Sequence, residues 1–202
     1  MKIGRDGHLS RAFVLTGLVL LLCGCAGRIV RMEVMPAESA SPAPLPGKAM
    51  VVFMRGPDSA LVQSTVYEVK GTDVEMIGIV AAKTKVAYQV DPGKRMFMAV
   101  GETADFMNAD LQAGRTYYVI VTAGLGNWKA RFALDPIHRA QLDSAEFKST
   151  FKDTRWVRKT AATDEWFAAN RRSIQSKRSG SYSEWMKTPE NERAALLAED
   201  GR

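Results

Sequence analysis

The chain has 202 residues, of which 46% are apolar and 25% charged, with a formal net charge of +6 at neutral pH. These shares are close to those of ordinary globular proteins, so the composition excludes a collagen-like, disordered or multi-spanning membrane chain. The chain has two cysteines and two histidines, too few for a cysteine-rich zinc site or a histidine cluster.

The first 24 residues are arranged like an export signal. Residues 1–11 carry three basic side chains against one acid, and residues 12–22 form an apolar core of 11 residues. A basic start followed by an apolar core of this length is typical of a secretory signal peptide. The core is too short to span a bilayer, which takes about 20 apolar residues. We therefore predict that residues 1–24 direct export and are then removed.

The signal ends in a short motif with two cysteines. Residues 22–26 read Leu-Cys-Gly-Cys-Ala, which resembles the bacterial lipobox, in which an aliphatic residue and two small residues precede a cysteine. The resemblance implies cleavage after Gly24 and acylation of Cys25, whereas Cys23 directly follows the leucine and fits the motif poorly. Several acyl chains on one cysteine anchor a protein stably, which a single chain does not.

The residue after this cysteine carries information on sorting. Ala26, rather than an aspartate, implies by the same resemblance that the protein goes to the outer membrane and faces the periplasm. The alternative is an ordinary secretory signal with incidental cysteines.

Removal of 24 residues leaves one cysteine and one histidine, so no disulfide can form within the mature chain.

A change of composition follows the signal. Residues 36–47 contain four of the eight prolines, and such a stretch is extended and forms no core. We predict that residues 25–47 are a tether with the acylated cysteine at its start, and that its Pro-rich part spans at most about 37 Å. Residues 28–35 alternate weakly between apolar and polar types, which leaves an extra edge strand open there.

Residues 48–138 have the pattern of a β domain. Apolar side chains alternate with polar ones or are enriched in β-branched and aromatic types, and Gly, Pro, Asn and Asp mark the turns. The predicted strands cover residues 49–55, 62–69, 74–81, 85–91, 94–100, 115–122 and 129–134. About seven short strands with regular turns predict a β-sandwich, which is large enough to fold alone, although marginally.

Two segments of this region resemble a known family. Residues 90–95 resemble the strand, Pro-Gly-basic turn and strand of PEGA-like and carboxypeptidase-regulatory-like β-sandwich domains, in which the Pro-Gly pair suits a tight turn. Residues 111–119 are similar to the start of a strand in bacterial lipoproteins of unknown function that carry such a domain. The resemblance covers about residues 48–134, although Arg95 stands where many members have His. It implies an immunoglobulin-like or PEGA-like sandwich and hardly any particular activity.

Residues 139–202 change to helical spacing and predict a helical C-terminal extension. Thr163 is a favourable N-cap, and two acids follow it at the positive end of the helix dipole. Two basic residues lie in the last predicted turn, and Gly180 lies just past its end at Arg178. A helix is therefore predicted over residues 164–178.

Two further segments of the extension have helical signals. A threonine followed by a proline at 188–189 predicts a second helix that continues to residue 200. For residues 144–152, a helix and a strand are equally plausible. The predicted fold is thus mainly β, with a β-sandwich and a C-terminal α-helical appendage.

Side chains suited to catalysis are few. No serine lies in a Gly-x-Ser-x-Gly motif, and His138 is the one histidine of the mature chain that could act as a base; we interpret it as a histidine at the edge of the β domain. The acids that could pair for glycoside hydrolysis are Glu102, Asp105, Asp110 and Asp135, but acids near strand ends are normally solvated. We therefore expect no enzymatic activity, no cofactor and no metal, with a periplasmic hydrolase as the less favoured alternative.

Positive charge is the remaining signal. Residues 152–178 contain eight basic and three acidic residues, a net charge of +5, with two tryptophans among them. An exported lipoprotein does not meet nucleic acid, but it meets anionic lipid headgroups and peptidoglycan carboxylates. The residues proposed to bind such a surface are Arg158, Lys159, Trp166, Arg171, Arg172, Lys177 and Arg178. The alternative is a solvated helix face whose tryptophans dock the helix onto the sandwich.

The helical spacing refines this proposal. Arg171 and Arg178 are seven residues apart and share a face, and we expect the basic residues to lie mostly in solvent. Trp166, Phe167 and Ile174 form a neighbouring stripe that is expected to turn toward the sandwich. The sequence thus predicts a non-enzymatic, lipid-anchored envelope protein that binds another envelope component. A peptidoglycan- or glycan-binding protein that uses the basic, Trp-bearing segment is the alternative.

Overall fold

The computed structural model describes residues 31–37, 41–57, 62–126 and 129–202. Within these residues the chain forms eleven strands and two α-helices. The strands are β1 (Met32–Val34), β2 (Ala49–Arg55), β3 (Ser64–Lys70), β4 (Asp73–Val80), β5 (Thr84–Val90), β6 (Gly93–Val100), β7 (Ala104–Leu111), β8 (Thr116–Gly126), β9 (Lys129–Pro136), β10 (Arg155–Lys159) and β11 (Ala195–Leu196). The helices are α1 (Ala145–Asp153) and α2 (Ala161–Trp185).

The strands form two sheets that pack face to face. The first sheet has the order β1-β10-β5-β2-β8-β9, and the second has the order β11-β7-β6-β3-β4. Both are mixed, because the pairs β2–β8, β5–β10 and β7–β11 run parallel. Between the sheets, the rings of Phe53 on β2 and Phe97 on β6 meet edge to face, with 5.3 Å between their centroids. The predicted mainly β sandwich with a C-terminal helix is confirmed.

The central strand β2 is buried on both of its faces. All seven of its residues are buried, and alternate side chains of a strand point to opposite faces. Val51 and Phe53 belong to the core between the sheets, whereas Met50, Val52 and Met54 belong to a second apolar cluster on the outer face of the first sheet. Burial on both faces explains the unbroken apolar run that the sequence shows in this segment.

The helix α1 covers this outer face. Ser144 caps the helix by accepting a hydrogen bond from the backbone N–H of Phe147 at 3.1 Å. The rings of Phe147 and Phe151 pack edge-on against Tyr118 of β8, at centroid distances of 5.0 and 5.8 Å. Of the two alternatives that the sequence left open for residues 144–152, the helix is therefore the one that forms.

The helix α2 covers the outer face of the second sheet. Phe167 packs against Tyr67 of β3 with 5.8 Å between ring centroids. Tyr182 and Trp185 pack against Phe106 of β7 at 5.4 and 5.6 Å. The molecule therefore has four layers, in the order α1, first sheet, second sheet and α2.

Two helix predictions for the C-terminal region are wrong. The helix α2 does not end before Gly180 but continues to Trp185, because aromatic side chains beyond the glycine pack on the second sheet and outweigh its poor helix propensity. Residues 188–200 do not form a second α-helix; they form two short 3-10 turns on either side of β11. Leu196 of β11 is buried where this strand pairs with β7, and this pairing replaces the helix.

Two longer strands arise where the sequence predicted none. β7 is the antiparallel partner of β6 along its whole length. β10 inserts between β1 and β5 in the first sheet and buries Val157 in the core. The region from residue 139 onward, predicted as a helical extension, thus adds β10 and β11 to the two sheets. Val157, Ile174 and Leu196 of this region belong to the core between and around the sheets, together with buried residues of 48–138.

The edge strand that the sequence left open within residues 28–35 is present as β1. It pairs antiparallel with β10, and its Met32 side chain is buried in the core. Met32 also covers Gly78 of β4, where a Cβ atom would lie only 3.0 Å from the methionine Cε. Part of the fold therefore precedes the Pro-rich segment.

The Pro-rich segment lies between two strands of the first sheet. Gln89 of β5 holds its second half, because the Gln89 side-chain amide donates to the carbonyl of Ala43 at 2.8 Å and accepts from the amide of Leu45 at 3.0 Å. Residues 36–47 thus connect β1 to β2, which corrects the prediction that they separate the anchor from the folded part. Between Cys25 and the first described residue, Arg31, the sequence has five residues.

Lys85 is a buried cation on the outer face of the first sheet. Its ammonium nitrogen lies 3.8 Å from the ring centroid of Phe151 and 4.9 Å from that of Trp156. It also donates a hydrogen bond to the carbonyl of Phe151 near the end of α1. Burial lowers the pKa of Lys85 to about 8.

This depressed pKa has a consequence for stability. The unfolded chain keeps the Lys85 proton up to about pH 10.4, whereas the folded chain releases it near pH 8. Unfolding therefore takes up a proton between these values, and Lys85 adds to the free energy of unfolding as the pH rises across this window. In urea unfolding between about pH 7.5 and 10, we expect the wild type to gain roughly 2 kcal/mol relative to Lys85→Met. A difference between the two proteins that does not change with pH would contradict the depressed pKa.

Candidate functional site

The residues predicted for cleavage and lipid attachment, Gly24 and Cys25, lie outside the described residues, so their role stays a prediction. Arg31, the first described residue, follows Cys25 by six positions. The carbonyl of Arg31 accepts hydrogen bonds from the hydroxyls of Thr160 and Thr163 at the start of α2. The chain is therefore built into the fold a few residues after the proposed anchor.

The first two cations of the predicted basic surface lie at the outer edge of the first sheet. Arg158 donates two hydrogen bonds to the carboxylate of Glu33 on β1, at 2.9 and 3.0 Å. These hydrogen bonds and the charge of Arg158 hold the pKa of Glu33 below its usual value. Lys159 pairs with Asp164 in the first turn of α2 at 3.2 Å. Both cations therefore have an acidic partner within the same molecule.

Arg171 and Arg178 lie on one face of α2, as the helical spacing predicts, and both reach the turn between β3 and β4. Arg171 forms an ion pair with Asp73, and Arg178 donates a hydrogen bond to the carbonyl of Gly71. The pKa of Asp73 is lowered, first by a hydrogen bond from a backbone amide and then by Arg171. These two arginines dock the helix onto the sandwich.

The remaining two cations take different positions. Lys177 donates a hydrogen bond to the carbonyl of Gly101 in the turn between β6 and β7, whereas Arg172 is exposed. The expectation that the basic residues lie mostly in solvent is wrong for Lys177 and Arg178, which are half-buried. Their long side chains lie along the sandwich and place their charged ends on turn carbonyls. The predicted cations therefore do not form one continuous exposed surface.

The aromatic stripe of α2 lies where the sequence predicts it. Ile174 is buried in the core, and Trp166 and Phe167 pack against that core while remaining partly exposed. Trp166 also accepts, through its backbone carbonyl, a hydrogen bond from the side chain of Asn170 at 2.8 Å. The exposed part of Trp166 borders a cleft.

This cleft, which we call the Trp166 cleft, lies between α2 and one end of the sandwich and has a volume of about 290 Å³. Polar residues line the cleft together with Trp166 and several apolar residues. The polar residues of α2 are Asn170, Ser173 and Lys177, and those of the sandwich include Gln63, Thr65 and Glu102. A cleft lined by a tryptophan and by residues with amide, hydroxyl and carboxylate groups suits a ligand with apolar faces and hydroxyl groups, such as a sugar.

Sequence reasoning identified only part of this cleft. Residues 166, 170, 173 and 177 follow one another at intervals of three or four, so helical spacing alone places them on one face. Gln63 precedes β3 and Glu102 lies between β6 and β7. No local sequence pattern predicts that Gln63 and Glu102 line this cleft, because only the folding of the chain places the segments that contain them beside α2.

His138 is half exposed and contacts the last part of the chain. Its Nδ1 lies 2.9 Å from the carboxylate of Asp200. The same carboxylate accepts hydrogen bonds from the backbone amides of Arg139 at 3.0 Å and Leu197 at 2.7 Å. Within the described residues, no serine or threonine hydroxyl forms a hydrogen bond with His138. This arrangement suits a histidine that fixes one segment at the edge of the fold.

Of the four acids considered for a carboxylate pair, Asp135 is near enough to Asp105 for its charge to raise the pKa of Asp105. Asp105 accepts a hydrogen bond from the amide of Leu134 at 3.0 Å, and Asp135 accepts one from the hydroxyl of Thr122. Burial is the main cause that raises the pKa of Asp105, and the charge of Asp135 adds to it. Because β9 is an edge strand, the backbone amide of Leu134 faces away from β8. Asp105 of β7 accepts the hydrogen bond from this amide and so links the second sheet to the first.

In the described ranges, no group of three or more His, Cys, Asp and Glu side chains is placed to hold a metal ion. Across the same part of the chain, no helix combines the length and the apolar composition needed to cross a membrane.

Comparison with known proteins identifies no relative. No family model matches the chain, and no curated protein or solved structure is significantly similar to it. The four-layered β-sandwich, the short connection to Cys25 and the Trp166 cleft are therefore the basis for a functional proposal.

Proposed function

We propose that this chain is a lipid-anchored protein of the bacterial outer membrane, facing the periplasm, that acts as a binding module without catalytic activity. The observation that carries the proposal is the lipobox-like segment 22–26 at the end of an export signal. A folded domain then begins within six positions of Cys25. An acylated cysteine followed by such a domain is the arrangement of a tethered envelope protein, in which the anchor sets the location and the domain binds.

Replacement of the proposed acylation site is expected to detach the protein from the membrane. In Cys25→Ser, the sulfur that would carry acyl chains is gone. Because the acyl chains supply nearly all of the membrane affinity, cell fractionation is expected to show an unprocessed precursor or a loss of more than about tenfold from the membrane fraction.

The neighbouring cysteine provides the matched control. Cys23→Ser removes a thiol two residues away and leaves the small-Cys motif at Cys25 intact, so we expect normal processing and membrane binding. If Cys25→Ser matures normally and stays in the membrane fraction, the lipid-anchor proposal is refuted.

The Trp166 cleft favours glycan binding, with peptidoglycan as the ligand, as a second candidate function. Besides Trp166 and several apolar residues, the cleft is lined by Asn170, Ser173 and Glu102, which have an amide, a hydroxyl and a carboxylate. Sugar rings present apolar faces to aromatic side chains and hydroxyls to such polar groups. Because Arg171, Lys177 and Arg178 contact the sandwich, this cleft replaces the basic face of α2 as the proposed binding site.

A bulky residue at the mouth of the cleft is expected to block this binding. Ser173 is exposed and lines the cleft, so Ser173→Tyr fills the cavity at little cost to folding. Cosedimentation with isolated sacculi is expected to weaken about tenfold, which corresponds to about 1.4 kcal/mol. Ser176→Tyr, at an exposed position of the same helix outside the cleft, is expected to bind like the wild type. Equal binding by both variants would argue against the cleft.

A further inference from the structure

The place of the proposed anchor in the sequence limits how far the fold can lie from the membrane. Five residues, 26–30, separate Cys25 from Arg31. The six Cα–Cα steps from Cys25 to Arg31 cover at most about 22 Å, even in a fully extended chain. Arg31 therefore stays within about 22 Å of the acylated cysteine.

The strand β1 cannot lengthen this connection without unfolding. All three of its residues pair with β10, and Met32 is buried in the core. The carbonyl of Arg31 accepts hydrogen bonds from Thr160 and Thr163 at the start of α2. Pulling β1 away would expose the Met32 side chain and leave a space above Gly78 of β4.

We define the anchor edge as the side of the molecule formed by Arg31, Glu33, Val34, Arg158 and Lys159. We propose that the anchor edge lies against the phospholipid headgroups of the membrane that holds Cys25, with the first turn of α2 beside the membrane and its last turn directed away. This inference rests on the proposed function, because it requires acyl chains on Cys25.

The composition of the anchor edge suits a headgroup layer. β1 is the outermost strand of the first sheet, and Val34 is 39% exposed. Exposed apolar groups beside arginine and lysine side chains fit the boundary between acyl chains and phosphates. With Asp164 counted, the edge has three cations and two acids, so its net charge is small. The short connection, rather than electrostatic attraction, is therefore what holds it at the membrane.

The helix α2 provides two positions that report this orientation. Glu165 in its first turns and Ser183 in its last turn are both exposed. They are 18 positions apart, which is five full turns, so they point to the same side and are separated by about 27 Å along the axis. In the first sheet, β9 lies five strand spacings from β1, about 24 Å at ~4.8 Å per spacing. The proposed orientation turns β9 and the end of α2 toward the periplasm.

Energy transfer to labelled lipids tests this orientation. The full lipidated chain, as Glu165→Cys or Ser183→Cys, is labelled with a donor fluorophore and placed in vesicles of phosphatidylethanolamine and phosphatidylglycerol that contain an acceptor on the headgroup. Acylation blocks Cys25 and cleavage removes Cys23, so the introduced cysteine is the free thiol. Because of the separation of about 27 Å, transfer from position 165 is expected to exceed transfer from position 183 at least about twofold.

A spacer tests the role of the short connection. Insertion of about 15 Gly and Ser residues between Gly27 and Arg28 lengthens the connection by up to about 50 Å, and transfer from position 165 is expected to fall. Equal transfer from positions 165 and 183 without the spacer, or no effect of the spacer, would overturn the proposed orientation. A chain that does not float with the vesicles overturns the lipid anchor itself, so failure of the orientation and failure of the proposed function are distinguished.

Discussion

A fragment of residues 48–138 is expected not to fold, although the sequence pattern alone predicts that it does. The fragment lacks both helices, so it exposes the side chains that they cover. Six of these side chains are buried in the whole protein: Met50, Val52, Met54, Tyr67, Phe106 and Tyr118. At about 1.5–3 kcal/mol for each, their exposure costs about 9–18 kcal/mol, which is comparable with the whole stability of a domain, about 5–15 kcal/mol.

Circular dichroism and urea unfolding measure this outcome. Residues 31–202, which contain all described elements, are expected to unfold in one cooperative transition, whereas residues 48–138 are expected to show none. The fragment also lacks β10, so β5 becomes an exposed edge strand and Val157 no longer fills its place in the core. A β-type spectrum with a cooperative transition in the fragment would show that the sandwich is independent of the C-terminal region.

Strands with a strong local pattern were predictable from the sequence. β2 has the predicted bounds because burial on both faces gives it an unbroken apolar run from Ala49 to Met54. The sequence pattern does not predict β7, because Asp105 and Asn108 interrupt its apolar residues and are of types common in turns and loops. In the folded chain, the Asp105 side chain accepts a hydrogen bond from β9, and the backbone amide of Asn108 donates one to the carbonyl of Ala194 at 3.0 Å. Partners distant in sequence, which no local pattern reveals, make this segment a strand.

The errors in the C-terminal region have the same physical origin. Propensity favours a helix end near Gly180, yet Tyr182 and Trp185 gain more from packing on Phe106 than the glycine costs. The threonine and proline at 188–189 are good helix-start residues, but the chain beyond them pairs with β7 instead. Tertiary contacts thus decide these boundaries.

The candidate site was predictable only where it lies on one helix. Spacing places Arg171 and Arg178 on one face of α2, but it does not show that the face meets a turn carbonyl and the carboxylate of Asp73. Charge counting therefore indicated an exposed cationic surface, where the structure has docking contacts. The Trp166 cleft needs Glu102 from a turn more than 60 residues earlier in the chain, so it could be located only after folding.

Truncation of Phe106 is expected to lower the free energy of unfolding by about 3–5 kcal/mol. Phe106 is fully buried on the outer face of the second sheet, with Tyr182 and Trp185 of α2 packed against its ring. In Phe106→Ala, a cavity forms beneath the end of α2. The helix cannot close this cavity, because hydrogen bonds hold it to the sandwich, among them one from Lys177 to the turn between β6 and β7.

Phe106→Leu is the control that distinguishes the effect of lost packing from an effect that any substitution at position 106 would have. Leucine keeps most of the buried volume, so it is expected to lose less than half as much stability as alanine does. Urea unfolding followed by circular dichroism measures both variants against the wild type. Because a buried phenylalanine replaced by alanine at a well-packed site costs about 3–5 kcal/mol, a loss below about 1 kcal/mol in Phe106→Ala would mean that α2 does not cover this face. The proposed orientation of α2 at the membrane would then lack its structural basis, since it depends on a helix fixed to the second sheet from its first turn to its last.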